Sequence, residues 1–123
     1  MSCYLRIVVD QSAPGHSRQV GLFTAAYHLR DEVELRKHDR VWLYKMLGWF
    51  SECLPVPPVS QIPVRAIFWY RQDSPIFKEM WRLAKLLRYY HYSISLVKTF
   101  SPGNVVYQDE HQIAAVPRRR NRR

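Results

Sequence analysis

The stretch that most constrains the fold is Asp73–Tyr92, DSPIFKEMWRLAKLLRYYHY. Its apolar residues Ile76, Met80, Leu83, Leu87 and Tyr90 recur at helical spacing and make one stripe. Phe77, Trp81 and Ala84 widen that stripe. Ser74 is placed to cap the helix, because its hydroxyl can accept an orphan N–H of the first turn. Pro75 follows at the first helical position, where a missing N–H costs nothing. Asp73 and Glu79 put negative charge toward the positive end of the helix dipole. Lys85 and Arg88 sit toward its negative end. Lys78, Arg82, Lys85 and Arg88 form a cationic row on the other side, extended by Tyr89 and Tyr92.

Short segments flank this helix. Val64–Tyr70, VRAIFWY, and Ser93–Thr99, SISLVKT, both read as strands. The first is almost wholly apolar, which suggests burial on both faces. Strand, helix, strand with short joints predicts a βαβ unit with parallel strands. Residues 4–9, YLRIVV, predict another strand, and residues 10–17 a loop. Arg18–Asp31 fits a helix through Val20, Phe23 and Tyr27, with a strand over Gly21–Tyr27 as the alternative. Asp31–Asp39 is dense in charge, and Asp39 is a plausible cap for a helix over Arg40–Leu54. Trp42, Met46, Trp49, Phe50 and Cys53 make the expected buried stripe of that helix. Pro55 stops it, and the prolines up to Pro63 predict a stiff, extended connector. Val105–Gln108 and Gln112–Val116 predict a hairpin joined by Asp109, Glu110 and His111. The expected fold class is α+β: a single small domain over residues 1–117. It has a mixed four- or five-stranded sheet containing one βαβ unit and a C-terminal hairpin, with two or three helices.

Composition bounds the partners. A length of 123 residues, 47% of them hydrophobic, suits one domain with a real core. The formal charge is +9, but five of the 19 cations are Arg118, Arg119, Arg120, Arg122 and Arg123. Without them, 14 cations face 10 carboxylates, so the body is mildly basic and residues 118–123 form an intensely basic tail. That tail is expected to be disordered when free. Such a field attracts phosphate backbones or acidic surfaces. No apolar run approaches the ~18 residues of a membrane span, and the N-terminus lacks the apolar core of a secretory signal. An intracellular, cytoplasmic protein without membrane association is expected. Cys3 and Cys53 then read as free, mostly buried thiols. No paired-cysteine zinc motif and no phosphate-cradling glycine loop are present, so no metal and no cofactor are expected.

The functional expectation rests on charge with interleaved aromatics. Cations that track a backbone, beside rings that stack on bases, are the two parts of a single-stranded nucleic-acid platform. The residues assigned to it are Lys78, Arg82, Lys85, Arg88, Tyr89, Tyr92, Arg118, Arg119, Arg120, Arg122 and Arg123. The expected function is non-enzymatic binding of RNA or single-stranded DNA with weak sequence specificity, as in an accessory subunit of a nucleoprotein complex. The alternative is a protein-interaction subunit, since four tryptophans and eight tyrosines can anchor an interface. A small nuclease or toxin-like enzyme ranks third. Its candidates are Asp109, Glu110 and His111 at the hairpin tip, and His28 with Asp31, Glu32, Glu34 and His38, a set also weighed as a metal site. Ser12, His16 and Ser17 resemble a nucleophile and base but lack an orienting third group. In Phe68–Arg71, alternation sends Phe68 and Tyr70 to one face of a strand and Trp69 and Arg71 to the other.

Overall fold

The computed structural model describes residues 3–10, 19–54, 60 and 62–118. They form an α+β domain with six strands and three helices. In chain order the elements are β1 (Tyr4–Asp10), β2 (Gln19–Gly21), α1 (Leu22–Glu32), α2 (Lys37–Cys53) and β3 (Ile67–Arg71). Then come α3 (Pro75–Tyr89), β4 (Ser93–Thr99), β5 (Asn104–Gln108) and β6 (Gln112–Val116). The proline connector predicted after Leu54 lies mostly outside the described residues, as do Arg119–Arg123 and all of the predicted loop except Asp10, which belongs to β1.

The predicted central helix forms as its sequence dictates. Ser74 is the N-cap, its Oγ accepts the Ile76 N–H at 3.3 Å, and Pro75 opens the helix. Ile76, Met80, Leu83, Ala84 and Leu87 are buried, each large side chain removing about 1.5–3 kcal/mol worth of apolar surface from water. The helix ends at Tyr89, earlier than Tyr92. His91 takes a left-handed conformation (φ 71°), and the N–H groups of His91 and Tyr92 return to the carbonyls of Arg88 and Leu87. This is a Schellman closure with histidine in the usual glycine position.

β1 is the axis of the sheet. β4 pairs with it along one edge, from Asp10↔Ser93 to Tyr4↔Thr99. Its other edge is shared by β3, at Tyr4 and Leu5, and β2, at Val8–Asp10. The sheet continues from β3 to β6 and then β5. There are six strands rather than four or five, and every pairing is antiparallel. The expected βαβ unit is therefore split. β3 and β4 do run parallel, because each is antiparallel to β1, but β1 lies between them. Strand–helix–strand spacing reports the crossover; it cannot report that a distant strand inserts beneath it.

The sheet also has to curl. Thr99 and Asn104 lie on opposite outer strands, four strand spacings apart. Four spacings are ~19 Å on a flat sheet. Five chain steps reach only about 17 Å. The sheet therefore curls toward the face away from the helices, making it concave, and residues 100–103 line a cavity there with Ile67 and Trp69. The helices cover the opposite face. There Ile7 and Val9 of β1 join Leu22, Ala25, Ala26 and Leu29 of α1, Leu43, Leu47 and Phe50 of α2, and the buried stripe of α3.

Several expectations about α1, α2 and β3 are corrected. Residues 22–32 are helical, as favoured over a strand, but β2 precedes them and Gly21 is the N-cap. α2 begins at Lys37, and its N-cap is Arg36 rather than Asp39. Phe50 of the predicted stripe is buried, but Leu43 and Leu47 join it in place of Trp42 and Met46. Trp42, Met46 and Cys53 flank that stripe, while Trp49 is exposed. The tryptophans can occupy the rim because an indole has both an apolar body and a polar edge. Val64 belongs to a turn closed by Ala66 N–H to Pro63 O and is fully exposed, so β3 starts only at Ile67. Cys3 and Cys53 are half-buried free thiols.

Candidate functional site

The cationic row of α3 lies beside a shallow groove between α2 and α3. The groove has a volume of about 390 Å³ and is lined by Arg36, Asp39, Trp42, Arg82, Lys85, Leu86 and Tyr89. The Arg36 guanidinium stacks 4.6 Å from the centre of the Tyr89 ring. Asp39 is the buried anchor of this wall. Its Oδ2 accepts from Tyr90 Oη at 2.6 Å and Arg36 Nε at 3.1 Å. The Tyr90 hydroxyl in turn accepts the Arg36 backbone N–H at 3.1 Å. The Tyr90 hydrogen bond holds the Asp39 carboxyl below its ordinary range, with Arg36 adding to the effect against the cost of burial. Asp39 is thus an ionised group whose charge is spent on its own neighbours.

The other cations are less committed. Arg82 pairs with Glu79 at 3.1 Å, both on the exposed side of α3. Lys78, Lys85 and Arg88 are exposed and form no ion pair among the described residues. The structure therefore gathers Arg82, Lys85 and Tyr89 from the predicted set around one groove, with Lys78 and Arg88 on the same helix. It adds Trp42, predicted only as part of the buried stripe of α2, and Arg36, which no local pattern singled out. The only sequence signal for Arg36 was its position three residues before Asp39, a helical pairing distance. Tyr92 is drawn away from the row: its hydroxyl meets His28 Nδ1 at 2.7 Å on α1, and burial raises its pKa. Arg118 lines a cavity on the concave face, across the sheet from the helices. Arg119, Arg120, Arg122 and Arg123 fall outside the described residues.

That concave cavity, about 650 Å³, is bounded by Ile67 and Trp69 of β3, residues 100–103, Pro117 and Arg118. Trp69 is buried against Ile113 and Ala115, with Tyr4 and Ile67 beside them. The indole Nε1 and the Arg71 Nε are buried with no acceptor among the described residues. Tyr70 faces the helix side, where burial pushes its hydroxyl up to about 12. The alternation predicted for Phe68–Arg71 therefore sets both rows against packed surface: Tyr70 under the helices, Trp69 beside residues 100–103.

The hairpin tip holds a different constellation. Asp109 is a turn organiser: it accepts the His111 and Gln112 N–H groups, the Gln112 side-chain amide and the Tyr107 hydroxyl, at 2.8–3.0 Å. His111 bridges Ser74 Oγ, 2.9 Å from its Nδ1, and Glu110 Oε1, 2.8 Å from its Nε2. Serine, histidine and carboxylate in series have the types of a hydrolytic triad. The surroundings oppose that use. Ser74 is 9% exposed, its Oγ already accepts the Ile76 N–H, and the next residue is a proline with no N–H for an oxyanion site. The chain of contacts ties the hairpin to the start of α3. The looser set around His28 disperses: His28 meets Tyr92, Asp31 pairs with Arg30, and His38 lies 3.4 Å from Asp39. Among the described residues no three His, Cys, Asp or Glu side chains are arranged to hold a metal ion. None of their helices is long and apolar enough to cross a membrane.

Comparison with protein-family models, with curated proteins and with solved structures found no significant match to the chain.

Proposed function

We propose that this protein binds single-stranded nucleic acid, RNA or DNA, through the groove between α2 and α3, with weak sequence specificity. The observation that carries the reading is the juxtaposition of Arg36, Arg82 and Lys85 with Trp42 and Tyr89 around one open groove. Lys78 and Arg88 extend the positive charge along α3, and neither is in an ion pair among the described residues. A phosphate backbone laid along α3 meets these cations, and the exposed Tyr89 ring offers a stacking surface for a base. Contacts of this kind position a strand without reading its sequence. The Arg118–Arg123 tail begins on the concave side of the fold. It therefore acts as a second, separate arm toward the same strand rather than as an extension of the groove.

Fluorescence anisotropy with a labelled single-stranded oligonucleotide, across a salt series, tests this. Replacing Lys78, Lys85 and Arg88 together by Gln removes three exposed cations and no buried contact. The expected result is weaker binding and a log–log salt slope smaller by about 2, at ~0.7 per single-strand phosphate contact. Truncation after Pro117 should lower the slope independently. A salt-independent affinity, or a triple variant that binds like the parent, would falsify the reading.

A further inference from the structure

Among the described residues β4 is an unpaired sheet edge. It pairs with β1 over all seven residues without a register break, and among the described residues no strand pairs with its other side. Folded proteins blunt such edges with charges (lysine above all), prolines, bulges or short strands. The other outer strands follow that rule: β5 carries a bulge between Val105 and Tyr107, and β2 has three residues. Of these devices β4 has Lys98 alone. SISLVKT has no proline, one charge, and two well-exposed aliphatic side chains, Leu96 at 46% and Val97 at 38%. These point to opposite faces, Leu96 beside Ile7 on the helix side and Val97 beside Arg6 on the concave side.

We infer that β4 pairs antiparallel with β4 of a second copy of this chain, joining two sheets into one across a two-fold axis at Leu96. The strand is self-complementary about that point. Leu96 meets Leu96 of the second copy, Ser95 meets Val97, Ser93 meets Thr99, and Ile94 meets Lys98. The single cation is thereby set against an aliphatic side chain whose methyls can pack on its stem. The two Lys98 ammoniums fall about 13 Å apart, four residues along the strand. That exceeds the ~8 Å screening length of physiological salt. The register centred on Val97 brings the lysines to about 7 Å, two residues apart, and the one centred on Ser95 gives up the Leu96 pair. Main-chain hydrogen bonds supply the association, and the Leu96 pair sets the register.

This inference stands apart from nucleic-acid binding, and salt separates the two. Each copy is strongly positive, so salt screens the repulsion between copies and should favour the dimer, whereas it weakens phosphate binding. Light scattering on the nuclease-treated, full-length chain in high salt should show a mass rising with concentration from 14.7 kDa toward twice that value. Leu96→Lys and Leu96→Glu each place like charges face to face and should weaken the dimer by at least about tenfold. An equimolar mixture of the two should recover the dimer. Amide hydrogen exchange provides a second readout that does not depend on the variants, since β4 should lose protection on dilution of the parent protein. A parent that stays at 14.7 kDa, single variants that still dimerise, or a mixture that stays monomeric would each overturn the proposal.

Discussion

Asp109→Asn tests the hairpin tip at the level of a single oxygen. The native carboxylate accepts two backbone N–H groups on Oδ1, at 2.8 and 3.0 Å. On Oδ2 it accepts the Tyr107 hydroxyl and the Gln112 amide, at 2.8 and 3.0 Å. Asparagine keeps the first oxygen and replaces the second with a donor. Tyr107 can rotate its hydroxyl to accept, but the Gln112 amide would then face another donor. One charge-assisted bond is lost and the others become neutral bonds. With hydrogen bonds to charge worth ~1.5–3 kcal/mol against ~0.5–1.5 for neutral ones, and a partly exposed site, the cost near neutrality is about 2 kcal/mol. Burial alone would raise the Asp109 pKa, but the hydrogen bonds from His111, Gln112 and Tyr107 overcome it and hold the carboxyl below its ordinary 3.8. A lowered folded pKa contributes stability that is fully present above the unfolded value and disappears as pH falls through the folded one. The gap between parent and variant should therefore close in acid, where a protonated aspartate offers a donor as asparagine does. Urea unfolding followed by tryptophan fluorescence, from about pH 7 down to the acid limit of folding, measures it. A gap below ~0.5 kcal/mol at neutrality, or one unchanged by acid, would refute the role given to the second oxygen.

Two further substitutions probe backbone and groove. Tyr90→Phe removes the hydroxyl that donates to Asp39 and accepts from the Arg36 N–H, and should destabilise by about 1.5–3 kcal/mol in urea unfolding. The same change should raise the Asp39 pKa toward its ordinary value, measurable by carboxyl NMR titration. Gly103→Ala should cost at least about 2 kcal/mol. Gly103 has φ 112°, and a Cβ there would lie 2.3 Å from the Val116 carbonyl oxygen. Gly48→Ala is the control, because an added methyl there would meet no atom of the described residues within 4 Å beyond its own stretch of helix, and the site is inside α2. That change should stabilise by ~0.5–1 kcal/mol.

Arg118 does not share the surface that carries the α3 cations. The α3 cations belong to the helical layer, whereas Arg118 borders the concave face beside Trp69. A strand contacting both must pass around the edge of the sheet. Tail truncation and groove substitution should accordingly act as independent, additive losses, as expected for sites without shared contacts.

What could be read from residue order was local. The cap, first proline and apolar stripe of α3 needed only the next turn of their own helix, and all three formed as written. The C-terminal hairpin was legible for the same reason, its turn residues lying between two short β-forming runs. The face of α2 was not legible, because Trp42 and Leu43 are both apolar and only packing against α1 and α3 decides which is buried. The insertion of β1 between β3 and β4 depends on pairing between residues more than sixty positions apart, for which periodicity carries no signal. The same holds for the sites. The cations of α3 announced themselves by spacing along one helix. Arg36 above Tyr89, and Ser74 against His111, exist only because antiparallel pairing and helix packing bring distant segments together. Sequence by itself determined the elements and the charge they display; tertiary structure alone decided which charges share a groove and which strand edge is left open, because both are set by long-range contacts.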